Sequence, residues 1–494
     1  MADIVLVNPQ AEMGVKFKDS APMTAPMGLL AIGSYLTANG YTVKLIDTRI
    51  ETDFEQQLLQ SGKDAICVGF SAMTAQIPHG LILSEIVKEK LGVPVIWGGT
   101  HPELFIKQTA EDSAIDYVVY GEGEASILEL VQRLEQGKPV DDIMGIAFKK
   151  DGQIKITPPR PLIDFKQLPM PNYDLLNLDR MLKTRFQGKI RRKLDFQTSR
   201  GCPYQCTFCI NTMKWKNHWR PLSAQMVLDT IQHMIDKYRI DLVWFRDENF
   251  FVDKNRTRQI VEGMIERKFN ILWRANLRAD YFTDTYVNDE FMAKMKKSGA
   301  AALYMGIEGG SQRMRDFIKK GITEDQIVRS AHLTKKYDVQ ASYSFMIGLP
   351  GETREDIKET VRVMTMLQKI NPESIMLGPQ PLRPYPGASL YDECKQMGFK
   401  EPKTLREWAM MENQFTAFMP VDALPWIDKN NYHLVNNVGK YGTLALQTWK
   451  NILGLSPMLA IPALGCKFRW KTGFFRYPLD YKLYKMVSRV LPFY

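Results

Sequence analysis

Ser199-Arg200-Gly201-Cys202-Pro203-Tyr204-Gln205-Cys206-Thr207-Phe208-Cys209 holds three of the six cysteines of the chain, spaced C-x3-C-x2-C. A loop this tight can turn three thiolates toward one metal centre. Three thiolates on a cubane iron–sulfur cluster leave one iron without a protein ligand, and an iron with an open position can bind and activate a small molecule as well as relay electrons. Two plainer readings compete. A structural zinc site asks for four ligands at close spacing, and Cys67, Cys394 and Cys466 all lie far away in the chain. The other is a group of buried thiols that holds nothing.

C-x3-C-x2-C directly after a strand is the signature of radical S-adenosylmethionine (SAM) enzymes, and this loop resembles theirs. The resemblance implies that Cys202, Cys206 and Cys209 hold a [4Fe-4S] cluster, with the amino and carboxylate groups of SAM on the fourth iron. It implies reductive cleavage of SAM to methionine and a 5'-deoxyadenosyl radical, an electron donor of flavodoxin or ferredoxin type, and an adenine packed by Phe208.

The elements that must position this loop alternate strand and helix. Strands Leu194–Ser199, Asp241–Phe245, Ile271–Ala275, Ala301–Ile307, Gln340–Ile347 and Ser374–Pro379 are separated by helices Ser223–Tyr238, Asn255–Arg267, Asn288–Ser298, Glu324–Tyr337 and Arg354–Lys369. They predict a partial (β/α)6 barrel within residues 191–395, reactive at the carboxyl ends of its strands. After the second strand comes Arg246-Asp247-Glu248-Asn249, where Asp247 or Glu248 suits the SAM amino group. Arg274 and Arg278 flank the third strand end and suit the SAM carboxylate. The resemblance places Glu308, in Gly306-Ile307-Glu308-Gly309-Gly310, at the SAM ribose or substrate. Gly348, in Met346-Ile347-Gly348-Leu349-Pro350-Gly351-Glu352, would let the backbone meet the adenine. As plainer readings, Glu308 is a helix-start acid satisfying backbone donors and Glu352 a helix N-terminal charge.

Residues 1–148 alternate in the same way. Strands Ile4–Val7, Thr42–Asp47, Ala65–Phe70, Val93–Trp97 and Tyr117–Tyr120 are interleaved with helices Leu29–Asn39, Phe54–Gln60, Ile82–Leu91 and Ala125–Glu135. Continuous apolar strands between helices predict an α/β, doubly wound parallel sheet that binds ligands at its carboxyl strand ends. No G-x-G-x-x-G follows the first strand, which weakens a dinucleotide site. The strand ends hold Ser71-Ala72-Met73-Thr74, Gly98-Gly99-Thr100-His101-Pro102 and Gly121-Glu122-Gly123-Glu124. They resemble the Rossmann-like cobalamin-binding domain that precedes many radical SAM cores. The resemblance implies that Ser71, Met73 and Thr74 line the nucleotide tail of cobalamin and that Gly98 and Gly99 pack against it. Thr100, Gly121, Glu122 and Gly123 complete the cradle. His101 is either a corrin-edge contact or an ordinary turn residue. The loop from Asn8 to Gly28 contains no His, so cobalt is expected to lack a histidine on its lower face.

Pro158, Pro159, Pro161, Pro169 and Pro171 mark residues 149–190 as a linker. Residues 396–494 read as a mainly helical C-terminal region. In it Trp408, Met410, Met411, Phe415, Phe418 and Met419 either close the barrel over a substrate or are plain core. The chain of 494 residues carries 65 Lys and Arg against 55 Asp and Glu, yet Lys450 to Tyr494 alone holds eight basic residues and one acid, Asp480. The basic character therefore belongs to an aromatic-rich tail. That tail suits peripheral membrane contact through 450–494, and nucleic acid is not expected. Few cysteines, an N-terminus without signal-peptide features and no apolar run long enough to span a bilayer point to a cytoplasmic protein, expected to be a monomer. The function expected is methyl transfer by a cobalamin-dependent radical SAM enzyme to an unactivated carbon of a small-molecule, lipid-like or peptide substrate. The alternatives are a cobalamin-dependent radical SAM oxidative cyclase or rearrangement enzyme resembling the anaerobic magnesium-protoporphyrin monomethyl ester cyclase, and a non-catalytic cofactor-holding protein.

Overall fold

The computed structural model describes residues 2–11, 23–214 and 217–414, with short pieces between 424 and 472. Most of the basic aromatic tail, and Phe415, Phe418, Met419 and Cys466, lie outside the described residues. The chain divides into two compact units. The first is Met1–Asp195 with Tyr238–Ile240 and Glu401–Thr416; the second is Phe196–Lys237, Asp241–Lys400 and Ala417–Tyr494.

The first unit is built on β1 (Ile4–Asn8), β2 (Val43–Asp47), β3 (Cys67–Ser71), β4 (Val95–Gly98) and β5 (Tyr117–Val119), all parallel, in the order β2-β1-β3-β4-β5. Every residue of β1 is buried, as expected for a strand covered by helices on both faces. The order reverses direction between β1 and β3, and a doubly wound sheet binds ligands at the carboxyl ends flanking that point. An antiparallel hairpin of β6 (Ile146–Lys150) and β7 (Gln153–Ile156) extends the sheet beyond β5.

The proline-rich stretch expected to be a linker from residue 149 is instead strapped to this unit. The Ile163 N–H donates to Glu122 Oε2 at 2.8 Å, the Asn172 N–H to Ser34 Oγ at 2.8 Å and the Tyr173 hydroxyl to the Asp195 carbonyl at 2.6 Å. A second hairpin, β8 (Lys183–Phe186) with β9 (Lys189–Phe196), follows. Its Lys193 and Asp195 are nearly fully buried and paired at 2.6 Å.

In the second unit β10 (Ser199–Arg200) pairs antiparallel with β11 (Arg220–Pro221) around the cysteine loop. The parallel strands β12 (Leu242–Phe245), β13 (Leu272–Leu277), β14 (Ala300–Glu308), β15 (Gln340–Ile347) and β16 (Ile375–Pro381) follow in spatial as in chain order. Each successive pair is joined by a crossover that contains a helix. The Phe196 carbonyl accepts the Arg246 N–H at 2.8 Å, so the strand before the cysteines is the first of a partial (β/α)6 barrel. Residues on β12 to β15 alternate. Trp273, Ala275 and Leu277 face the helices and are buried, while Trp244, Arg274, Asn276, Tyr304, Glu308, Ser344 and Met346 stay partly open on the other face. That concave face is polar and aromatic rather than aliphatic.

Candidate active site

Gly201 begins the cysteine loop with φ +88°, a left-handed turn that costs a side-chain-bearing residue energy. The strand ahead of it is fixed by a buried network. Asp247, fully buried, accepts from Thr198 Oγ1 at 2.9 Å and from the Ser199 hydroxyl, and Arg256 donates to Thr198 Oγ1 at 2.7 Å and to the Leu222 carbonyl at 2.7 Å. Within the loop the Cys209 N–H closes on the Cys206 carbonyl at 3.1 Å, and Thr207 is tied to the Ile318 carbonyl at 3.1 Å. Cys206 is buried and Cys202 and Cys209 are half-buried, all as free thiols. Burial pushes the Cys202 thiol up, and the Cys209 thiol to about 11. Binding to iron would have to displace those protons. Among the described residues no group of three or more His, Cys, Asp or Glu side chains could hold a metal ion. A cubane asks for no such convergence, because its thiolates bind separate irons.

The structure separates the candidates that sequence placed together. Asp247 is spent on Thr198 and Ser199 and positions the loop, which corrects its expected role at the SAM amino group. Glu248 keeps one carboxylate oxygen, Oε2, buried and without a hydrogen-bond partner. Its pKa is pushed up to about 7, first by burial and then by Asp247, against backbone hydrogen bonds that include one from Gly201. An orphaned acceptor beside the cysteine loop fits the amino group of SAM. Arg278 does not offer its fork to a ligand carboxylate. Its Nε bonds Asp280 at 3.0 Å and 3.1 Å, its guanidinium lies 3.7 Å from the centre of the Tyr204 ring, and Nη1 reaches Cys206 Sγ at 3.7 Å. Arg274 stands inside β13 rather than at its end, 4.1 Å over the Trp244 ring that Arg246 shares at 4.3 Å.

Glu308 ends β14 at φ +71°, beside a register shift between Gly306 and Glu308. This turns its carboxylate onto Ser344 Oγ at 3.3 Å and Lys320 Nζ at 3.7 Å. Burial raises its pKa, and Lys320 and Ser344 oppose the rise. Lys320, which no sequence signal marked, also lies 5.8 Å over the Phe208 ring. Gly348 is not open to an adenine on the side a Cβ would occupy. Ile427 and Val435 would meet such a Cβ at 3.2 Å and 3.3 Å, and Trp426 Nε1 donates to its carbonyl at 2.8 Å.

At the carboxyl ends of the first unit's sheet the arrangement is bare. Met73 is 57 % exposed, Gly99 and Gly121 are exposed, and Ser71, Gly98 and Thr100 are half-buried, although the strands behind them are closed. Gly99, at φ +96°, presses its backbone on Ser71 and Ala72; a Cβ there would come within 2.8 Å of Ser71 Oγ and 2.9 Å of the Ala72 nitrogen. Nothing lies within 4 Å of where a Gly121 Cβ would point. A ledge of glycine and one flexible methionine fits a broad, flat group such as a corrin. Three expected contacts have structural jobs instead. Glu122 holds Ile163, Gly123 packs on Ile32 and Val119, and Thr74 bonds His101 Nδ1 at 3.2 Å. His101 is neither a turn residue at the surface nor open to a ligand. It is fully buried, and burial lowers its pKa to about 3. It sits against Phe105 and, edge-on at 5.4 Å, against Trp408. Trp408 lies on the helix Leu405–Gln414, which belongs to the first unit through Trp408 Nε1 to Gln108 at 3.2 Å and Arg406 to Asp112 at 2.9 Å. It packs in that unit's core and closes no barrel; Met410 on the same helix is 56 % exposed.

The Radical SAM superfamily matches residues 196–364, and the B12 binding domain matches residues 19–131. An uncharacterized methyltransferase of Pyrococcus horikoshii is 32 % identical over 79 % of this chain and 82 % of its own length. The anaerobic magnesium-protoporphyrin IX monomethyl ester cyclase of Rubrivivax gelatinosus is 25 % identical over 74 % of this chain and 66 % of its own. Among solved structures, the radical SAM methyltransferase TsrM of Kitasatospora setae, with cobalamin and a [4Fe-4S] cluster bound, shares the fold. Its TM-score is 0.65 at 16 % identity over 96 % of this chain and 99 % of that one. The chain therefore belongs to the cobalamin-dependent radical SAM enzymes.

Proposed function

We propose that this enzyme transfers a methyl group to an unactivated carbon. The observation that carries the reading is the joint presence, in one chain, of the three-cysteine loop and the glycine ledge, together with likeness to a methyltransferase over most of both lengths. When bound, the cluster with SAM supplies hydrogen-atom abstraction and the corrin supplies the methyl group. The chain's own residues hold and orient. Cys202, Cys206 and Cys209 grip the cluster, Glu248 accepts from the SAM amino group, and Glu308 and Phe208 flank the nucleoside. Ser71, Met73, Gly98, Gly99, Thr100 and Gly121 seat the corrin. The polar, aromatic face of β12 to β15 suits a substrate with hydrogen-bonding groups. We further propose a flavodoxin- or ferredoxin-type electron donor and a small-molecule, lipid-like or peptide substrate for a monomeric enzyme. No described helix is long and apolar enough to cross a membrane; peripheral contact through 450–494 is proposed from composition alone.

Oxidative cyclisation is the second reading, favoured by the cyclase relatives. Anaerobic turnover of the reconstituted enzyme with methyl-deuterated SAM and cell extract separates the two. Methyl transfer gives a deuterated product, with S-adenosylhomocysteine and 5'-deoxyadenosine in comparable amounts. Cyclisation gives 5'-deoxyadenosine without matching S-adenosylhomocysteine, and a cofactor-holding protein gives neither.

A further inference from the structure

The three cysteines are not equivalent. Cys206 is the buried one, and among the described residues it is the one that accepts a hydrogen bond from a cation: Arg278 Nη1 stands 3.7 Å from its sulfur, while Cys202 and Cys209 feel Arg278 and Lys320 only through charge. Arg278 is 6 % exposed, and its guanidinium has several partners. Asp280 takes Nε at 3.0 Å and Nη2 at 3.0 Å, the Lys320 carbonyl takes Nη2 as well, and the guanidinium carbon lies 3.7 Å from the centre of the Tyr204 ring. Together these contacts fix the plane of the group and leave Nη1 aimed at the sulfur. An Arg–Asp pair built only for stability has no need to spend its remaining donor on a thiol, and a guanidinium so far from water is costly to bury.

A cluster ligand in this position feels a fixed positive charge and a hydrogen-bond donor. Hydrogen bonds to the sulfurs and local charge are what a protein uses to set the potential of an iron–sulfur cluster. Reduction adds one electron, from an external low-potential donor, and takes the [4Fe-4S] cluster from the 2+ to the 1+ state. Its sulfurs become more electron-rich, so the same donor binds the reduced form more tightly than the oxidised form. We propose that Arg278, oriented by Asp280 and Tyr204, is a positioning residue that raises the reduction potential of the cluster through Cys206. The effect of Asp280 has the opposite sign, because its carboxylate partly cancels the cation. The inference rests on the assignment of Cys202, Cys206 and Cys209 to the cluster.

The test uses full-length protein reconstituted anaerobically as wild type, Arg278→Gln, Arg278→Lys and Asp280→Asn, without SAM. Iron and sulfide content are measured first, and the reduced-cluster spin-resonance signal is then titrated against potential. Arg278→Gln should load a cluster whose reduced-to-oxidised ratio at a fixed potential is about tenfold lower than in wild type, about 59 mV for one electron. Arg278→Lys should recover part of that ratio, and Asp280→Asn should move it upward. A fully loaded Arg278→Gln protein with the wild-type midpoint would overturn the inference. So would an Asp280→Asn shift of the same sign as Arg278→Gln, which marks a merely structural clamp. If Arg278→Gln fails to load iron, Asp280→Asn decides alone, and no upward shift there overturns the proposal. A wild-type protein that takes up no cluster would overturn the cysteine assignment itself and this inference with it.

Discussion

The two sheets present opposite kinds of surface at their carboxyl ends. Around the cysteine loop the second unit buries the charged groups of Asp247, Arg256, Arg278 and Lys320, and pairs Lys320 with Glu308. At the ledge of the first unit the chain offers glycine backbone and Met73. The difference follows from what each site is proposed to hold. A small charged cluster with a chelated amino acid is sensitive to field and hydrogen bonds, so charge must be fixed in advance. A large flat macrocycle is held by shape and buried area, so side chains must be kept out of its way.

The largest expected effect sets the two ends against each other. Cys206→Ala should abolish iron loading and leave cobalamin bound, as measured by iron content and corrin absorbance; loss of both cofactors would break the division. Gly99→Ala should do the reverse. Its backbone lies in a region that few residues but glycine adopt, and the added Cβ meets Ser71 and Ala72. A stability loss of about 1–3 kcal/mol is expected, with cobalamin lost and iron retained.

Glu248 gives a pH test. Its folded pKa is raised above its ordinary value of 4.5, to about 7. Such a group contributes fully below the unfolded pKa and loses that contribution as pH rises toward the folded value. In cofactor-free protein Glu248→Gln should therefore match wild type below the unfolded pKa of 4.5 and exceed it by about 3 kcal/mol above pH 7. In the loaded enzyme the same change should weaken SAM binding. Equal melting curves at pH 8 would show that the carboxyl is not buried as described. The smallest effect is at Glu122, where Glu122→Gln weakens the bond to Ile163. About 1 kcal/mol of stability should go, with cobalamin affinity unchanged.

The parts legible in sequence were those written as apolar runs or fixed spacing. β1 stands where its continuous apolar run puts it, β15 where Tyr343, Phe345 and Ile347 alternate with more open neighbours, and the three cysteines needed only their spacing. The hairpins were missed although their turns are marked. Asp151-Gly152 and Gln187-Gly188 take positive φ as two-residue turns do, but the flanking strands are dense in Lys and Arg and hide their alternation. Nothing local marks Lys193 and Asp195 as a buried pair, because the partners that hold them, Met23 and Ala25, are far back in the chain. Trp408 packs on His101 across about three hundred residues, and no local pattern reports such a contact. Nothing in the sequence marked Asp280 as the partner of Arg278, and that Arg278 meets Cys206 is a property of the fold alone.

One measurement bears most directly on the central claim, that a single chain seats an iron–sulfur cluster on one sheet and a corrin on the other. Full-length protein, purified and reconstituted without air, should show both a reducible [4Fe-4S] spin-resonance signal and a cobalt signal, each near one equivalent per chain. Iron with no retained corrin, corrin with no iron, or neither, under conditions that preserve both, would contradict it.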